Sequence, residues 1–476
     1  MKSEQFVTAL MVLILSLWGG ESYAQATKAV HPEIGTKVYA ADSSFSLTLI
    51  AKKQYFEPAD TLTADTDIHS PKSVNMHPNG TKYYVNSLEG ATTVVYDFLT
   101  HRKLKVIRHN FTDADTVLLG SHFQPFYKFT HYTPDDKHPA SPFGGWGAFY
   151  GKPVESTFSH GGRYLWVPYY RRSYDINAQD PSAVAIIDTE TDSIIRLMDT
   201  GPLPKMVATS PDGKLIAITH WGDNTVGIID ISSADPFEWH YTSLAIIDQQ
   251  LKLNFSITQQ IDRDNNSGHC LRGTAFTPDN RYLLVGCMAG TGGIAVVDLQ
   301  PAQPNNRTTA QPNNRTTVQP NNRTTAQPQY LGRITGMMPN LRHLIIRDGH
   351  LYLSINRDGY VQKMPLEQFL EAIPRLSASP NKVITITNWQ TCKVGTGART
   401  IETTPDGRFL FVACNNSSAL YVVDAQAMTV LTSIPVDSYP VGLDISHDGR
   451  YVFTTSQGRG NSGGNCVDIY ELEIKQ

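Results

Sequence analysis

One string recurs along this chain, and few folds accommodate it. From Met206 to Asp230 the sequence MVATSPDGKLIAITHWGDNTVGIID lays out an apolar strand, a Pro-Asp-Gly turn and a second apolar strand. A polar loop and a third strand ending at Asp complete it. The same order returns as GTAFTPDNRYLLVGCMAGTGGIAVVD from Gly273 to Asp298 and as TIETTPDGRFLFVACNNSSALYVVD from Thr400 to Asp424. Looser copies begin at Ser73, Glu155, His343 and Gly442, which makes seven units. Proline presets the backbone for a tight turn and glycine tolerates positive φ, so the shared turn suits a hairpin. The flanking runs are rich in Val, Ile, Tyr and Phe, as half-buried strands require. Repetition of several strands at a period of roughly 40–50 residues is the mark of propeller blades. The expected fold is therefore all-β, a seven-bladed β-propeller of four-stranded antiparallel blades. A strand at Ser46–Ile50 precedes the first unit, while the last unit stops after its third strand near Tyr470. Residues near 46–52 are expected to complete the final blade, closing the ring and removing its free edges.

The turns Pro211-Asp-Gly213 and Pro405-Asp-Gly407 and the strands Tyr84-Val-Asn-Ser87 and Phe411-Val-Ala-Cys-Asn415 resemble the YVTN-repeat family of bacterial β-propellers. That family is related to the lactonase-like and surface-layer propellers. The resemblance covers nearly all the chain beyond residue 24. It implies a fold strongly and a function weakly, because propellers of this kind bind diverse partners.

Ahead of the repeats, a basic start at Lys2, an apolar run from Phe6 to Trp18 and a small-x-small ending at Ala24 read as a cleavable secretory signal over residues 1–24. The run is shorter than the roughly 20 residues needed to span a bilayer, so no membrane insertion is expected. Residues 25–476 are read as one propeller domain, periplasmic or secreted and monomeric. A formal net charge of -4 gives no general push toward nucleic acid, which is not a favoured partner. The five cysteines contain no CxxC, which argues against a zinc knuckle or a covalent haem. Cys270 and Cys287 flank one hairpin and Cys392 enters the blade of Cys414, so two disulfides are conceivable; buried free thiols are the alternative. No cofactor or metal is expected.

Two long segments join strands on one face of the propeller, here called the top. Residues 108–152 carry Phe111, Phe123, Phe126, Tyr127, Phe129, Tyr132, Phe143, Trp146, Phe149 and Tyr150, well above the chain-wide aromatic fraction of 10%. They read either as glue or as the wall of a binding site. The stretch from Tyr169 through Arg171 to Pro181 lies beside them. On the opposite face, residues 302–328 hold three near-identical octapeptides, QPNNRTTA and its variants, which are too polar to bury a core.

Aligning the units on the turn glycine places one residue just before the innermost strand of every blade: Lys72, Val154, Lys205, Arg272, Arg342, Arg399 and Val441. Arg342 needs a turn one residue shorter. Five of these seven are cationic and should converge on the top mouth of the channel. Like charges so placed repel unless an acid, water or an anionic ligand compensates. The alternative is that each cation braces a neighbouring blade. A second aligned position holds Ser87, Tyr169, His220, Cys287, Asn356, Cys414 and Ser456, with Trp221 next door. Lys72, Lys205, Arg272, Arg342, Arg399, Tyr169, Arg171, His220 and Trp221 are therefore the candidate ligand-binding residues. The expected partner is an anionic small molecule, a glycan or a protein. No GxSxG elbow, P-loop or dinucleotide fingerprint stands out. Glu155 and His220 are the weak candidates for a lactonase-like or other hydrolase. His269 is a further candidate base or metal ligand near the mouth. A non-enzymatic binding protein is the favoured reading, with a structural interaction scaffold as a third possibility.

Overall fold

The computed structural model describes residues 29–55, 63–120, 148–172, 182–251, 268–289, 292–300, 327–458 and 463–475. The segments read as a signal sequence and as the octapeptide loop lie outside them. So do most of the aromatic insertion and residues 173–181. Among the described residues no helix is long and apolar enough to cross a membrane.

Seven antiparallel sheets surround a central axis. The innermost strands are Pro71–Met76, the stretch leading into Thr157–Ser159, Pro204–Thr209, Leu271–Phe276, Leu341–Arg347, Ala398–Thr403 and Pro440–Ile445. Each blade then runs outward through consecutive hairpins. The turn between first and second strands repeats one hydrogen-bonded device. Ser210 Oγ donates to Asp212 (2.7 Å) and accepts from the Leu215 amide (2.9 Å), while Gly213 sits at φ 71°. Thr277–Asp279, Thr404–Asp406 and Ser446–Asp448 repeat the contact at 2.5 Å each. The hydroxyl residue before the turn thus belongs to the motif as much as the Pro-Asp-Gly does.

The apolar core is divided into seven sectors, one at each junction between blades. Val85, Val94 and Tyr96 of the first blade pack on Phe453 and Ile469 of the last, for example. Closure follows the expectation. Phe45–Gln54 pairs antiparallel with Cys466–Ile474 in the last blade, from Phe45 opposite Ile474 to Gln54 opposite Cys466. Lys37–Tyr39 adds a further strand outside it.

Three further departures from the plain four-stranded blade appear. The second blade is extended by Ala148–Pro153 and Asn110–Thr112, the fourth by a parallel strand Val383–Thr385, and a helix, Leu366–Ala372, interrupts the fifth. All five cysteines are buried free thiols. Neither conceivable bridge is formed. Cys287 pairs with Leu271 rather than Cys270, and Cys392 and Cys414 belong to different sheets. Burial pushes the Cys287 and Cys414 thiols up to about 12, which keeps them protonated.

Candidate functional site at the channel mouth

The site is built by a repeated irregularity. The innermost strand slips register against its partner between Pro71 and Ser73, Pro204 and Val207, Leu271 and Thr274, Leu341 and His343, Ala398 and Ile401, and Pro440 and Gly442. Lys72, Lys205, Arg272, Arg342, Arg399 and Val441 all lie inside these bulges. A β-bulge bends its strand and re-aims a side chain, here toward the axis. Each bulge sets one extra residue of the inner strand against its partner; the Leu341–Arg347 hairpin differs in its turn, with Arg347 facing His350 across Asp348 and Gly349 alone, which is why Arg342 aligns only with a shorter turn.

Lys72, Lys205, Arg272 and Arg399 are between 5 and 7% exposed, so the charges are largely withdrawn from water. Arg342 is half-buried. Burial, then repulsion from Arg272, Lys72, Arg342 and Arg399, holds the Lys205 amine well below the usual lysine range. Lys72 is depressed by burial and by Arg399, with Glu155 opposing and Arg342 and Arg272 adding to the depression. The cations therefore converge, as the alignment requires.

Among the described residues the structure gives no ion pair and no side-chain hydrogen bond to Lys72, Lys205 or Arg399. Aromatic faces occupy part of that role. The Lys205 ammonium position lies 3.4 Å from the Tyr170 ring centre and 4.7 Å from that of Trp221, and the Arg272 guanidinium lies 3.7 Å over Trp221. Arg342 rests against Met288 Sδ at 3.1 Å. Tyr170, Leu203, Trp221, Cys270 and Met288 together form a small apolar collar. Beside the ring, neighbouring blades are braced through uncharged groups. Ser73 Oγ donates to the Val154 carbonyl (2.8 Å), Thr400 Oγ1 to the Val441 carbonyl (2.6 Å), and the Ser354 hydroxyl to the Arg399 carbonyl.

Immediately beneath the ring a cavity of about 370 Å³ follows the axis, lined by residues of all seven inner strands. Its walls carry Glu155, Ser73, Asn75, Thr274, His343 and Thr400, and its far end carries Arg347, Glu402 and Asp444. His343 is pushed down to about 4 by burial and by Arg399, so it is neutral, and its Nδ1 accepts from the Ile401 amide at 3.4 Å. Asp444 is pushed up to about 7 by burial, although its carboxylate accepts from the Met76 amide at 2.6 Å.

The structure separates the sequence candidates. Glu155 faces the cavity. Trp221 forms the collar. His220 does neither. It is 0% exposed inside the third blade, its Nε2 accepts from the Gly201 amide (3.1 Å), and its Nδ1–H donates to Thr225 Oγ1 (2.8 Å). Burial holds it down to about 3, so it is a neutral structural group and not a channel base. Tyr169 is likewise sealed in its blade, against His109 Nδ1 at 2.8 Å. Its neighbour Tyr170 stands under Lys205 instead, because successive residues of a strand face opposite sides. Ser87, Cys287, Cys414 and Ser456 are fully buried in the same way. The Arg171 side chain lies outside the described residues. His269 pairs with Asp248 at 2.8 Å. Sequence reading missed His343 and Tyr170, although both sit one residue from a position it singled out, and it missed Asp444.

No family model matches the chain. A stretch of 80 residues, 16% of this chain, is 31% identical to the 6-phosphogluconolactonase of Serratia proteamaculans strain 568 and spans 23% of that relative. Among solved structures, the hydrazine synthase of Kuenenia stuttgartiensis superposes with a TM-score of 0.54 at 11% identity, over 88% of this chain and all of that one. The Cps50 (Swd1) β-propeller domain of Myceliophteria thermophila superposes with a TM-score of 0.50 at 11% identity, over 85% of this chain and 96% of that domain. At such identity the likeness is one of fold. The chain is a seven-bladed β-propeller with a hint of lactonase-like relatives; its YVTN character remains a resemblance of motifs.

Proposed function

We propose that this chain is an exported binding protein whose channel mouth takes a small anionic, hydroxyl-bearing ligand. The observation that carries the reading is the ring itself. Five cations converge from separate blades, and three of them, Lys72, Lys205 and Arg399, make no ion pair and no side-chain hydrogen bond among the described residues. Crowding charge in a partly desolvated site is unfavourable unless an anion compensates it. Arginine grips carboxylate or phosphate through parallel hydrogen bonds, and lysine adds a point charge. Hydroxyl and amide groups of Ser73, Asn75, Thr274 and Thr400 below the ring are suited to a polyhydroxylated body. The test is a thermal-shift titration of the mature protein with phosphate, sugar acids and phosphorylated sugar acids at low and moderate salt. An anion-dependent rise in melting temperature that disappears in the Arg272→Ala/Arg399→Ala double variant supports the site. No shift with any of these anions removes it.

A hydrolase is the second reading. Its support is the 31% identical stretch shared with a relative whose name denotes a phosphorylated gluconolactone as substrate, together with Glu155 on the cavity wall. On that reading Glu155→Gln abolishes lactone turnover while ligand-induced stabilisation persists.

A further inference from the structure

We propose that Lys205 is a nucleophilic amine that forms a Schiff base with a small carboxylate-bearing aldehyde or oxo acid held at the channel mouth. The inference rests on the anion-binding reading for the grip on the carboxylate, and adds a covalent step to it. Arginine stays protonated in proteins, so repulsion within a mixed Lys/Arg cluster is relieved at its lysines. The ring holds two. Lys72 has Glu155 opposing its loss of a proton, whereas the strongest charged influences on Lys205, from Arg272, Lys72, Arg342 and Arg399, are all cationic. Lys205 shares the Trp221 ring with Arg272, its Nζ 4.7 Å and the guanidinium 3.7 Å from the ring centre, so a second cation stands beside the amine in a site largely withdrawn from water. Burial and these neighbours hold it well below the usual lysine range. A lysine desolvated beside other cations is the activated form of this nucleophile. The next residues of its strand, Met206 and Val207, line the cavity of about 370 Å³, which accommodates a small oxo acid.

The step balances without a redox partner. The Nζ lone pair attacks the carbonyl carbon, a C–N bond forms, and an amine proton moves to the carbonyl oxygen to give a carbinolamine. Loss of that hydroxyl together with the remaining amine proton, as water, leaves the C=N bond. Arg272 and Arg399 hold the substrate carboxylate.

The test treats the mature protein with glyoxylate and cyanoborohydride at pH 7 and maps the modified lysines by mass spectrometry. Each unit of lowered pKa multiplies the free amine about tenfold, so Lys205 should label at least about tenfold faster than solvent-exposed lysines. Excess inorganic phosphate should slow that labelling, and Arg399→Gln, by removing a repelling charge, should slow it too. Lys205→Met should abolish it with the melt still cooperative. If glyoxylate or phosphate raises the melting temperature but Lys205 labels no faster than exposed lysines, the Schiff-base proposal is overturned and the anion site stands. If neither stabilisation nor preferential labelling occurs, both are overturned.

Discussion

His220 and Trp221 are neighbours in sequence, and the mouth of the channel runs between them. His220 ends a strand and Trp221 follows it directly, and the indole goes to the collar while the imidazole goes into the blade. Since His220 is bonded at both ring nitrogens, His220→Ala leaves a cavity and unpaired partners. It should cost about 2–4 kcal/mol in urea unfolding while anion-induced stabilisation is retained. Loss of the anion response without loss of stability would put the imidazole back in the site. The pH dependence has a definite sign. The folded-state value is about 3 against an ordinary 6.5, so between these the unfolded chain binds more protons. The stability contributed by neutral His220 is complete above about 6.5 and drains as pH falls toward 3. Asp444 behaves oppositely. Its folded value is raised to about 7 from 3.8, so its contribution is complete below 3.8 and is lost as pH rises through 7. Asp444→Asn keeps an acceptor for the Met76 amide and removes that titration. It should gain stability relative to the native chain at pH 8 and little at pH 4; equal effects at both would mean the carboxyl is not held protonated. Tyr169 and Tyr170 show what was hidden at this scale. Motif alignment located the right strand end, but the face of each residue depends on bulge and register, which one sequence does not display.

The closing strand was legible because the last repeat is one strand short and an unassigned apolar strand precedes the first. What pins it was not legible. Lys52 on that strand reaches Asp437 Oδ2 at 2.5 Å and Asp468 Oδ1 at 3.6 Å, and donates to the Pro32 carbonyl at 2.9 Å. These residues are far apart in the chain and meet only when the ring is closed. His31 adds a contact to Asp437 Oδ1 at 2.7 Å, so the stretch before the strand is tied to the same carboxylate. Despite Lys52, Asp468 is pushed up to about 6 by burial and by Asp437. Removing one partner of a buried ion group strands the others. Lys52→Met should therefore cost about 3–5 kcal/mol, and the triple variant Lys52→Met/Asp437→Asn/Asp468→Asn should recover most of it. Denaturant melts of the three proteins decide; a single variant within about 1 kcal/mol of the native chain would mean that the carboxylates are already neutral. The parallel strand Val383–Thr385 and the helix Leu366–Ala372 were likewise invisible, since neither belongs to the repeat.

At the scale of the molecule, the seven-sector core and the cationic ring follow from one repeat read at two positions. Inward alternation builds an apolar sector at each junction, and the bulged residue of each inner strand projects to the axis. That the ring exists was therefore legible. What surrounds its cations was not, because pairing depends on what the closed ring brings within reach: Tyr170 and Trp221 stand under Lys205, and Arg272 lies over Trp221. A binding site of this kind should trade stability for function. Arg399 has no ion pair among the described residues. Arg399→Gln preserves much of the aliphatic stem and removes one repelling charge. In low salt without multivalent anions, this variant should be more stable than the native chain by about 1 kcal/mol. Added phosphate should stabilise the native chain more than the variant, so the difference shrinks or reverses as phosphate rises. Melts across a phosphate series, repeated with chloride at matched ionic strength, separate site occupancy from general screening. A variant that is less stable at every phosphate concentration, with equal responses to both salts, would show Arg399 to be an internal brace and the ring a fastening of the propeller.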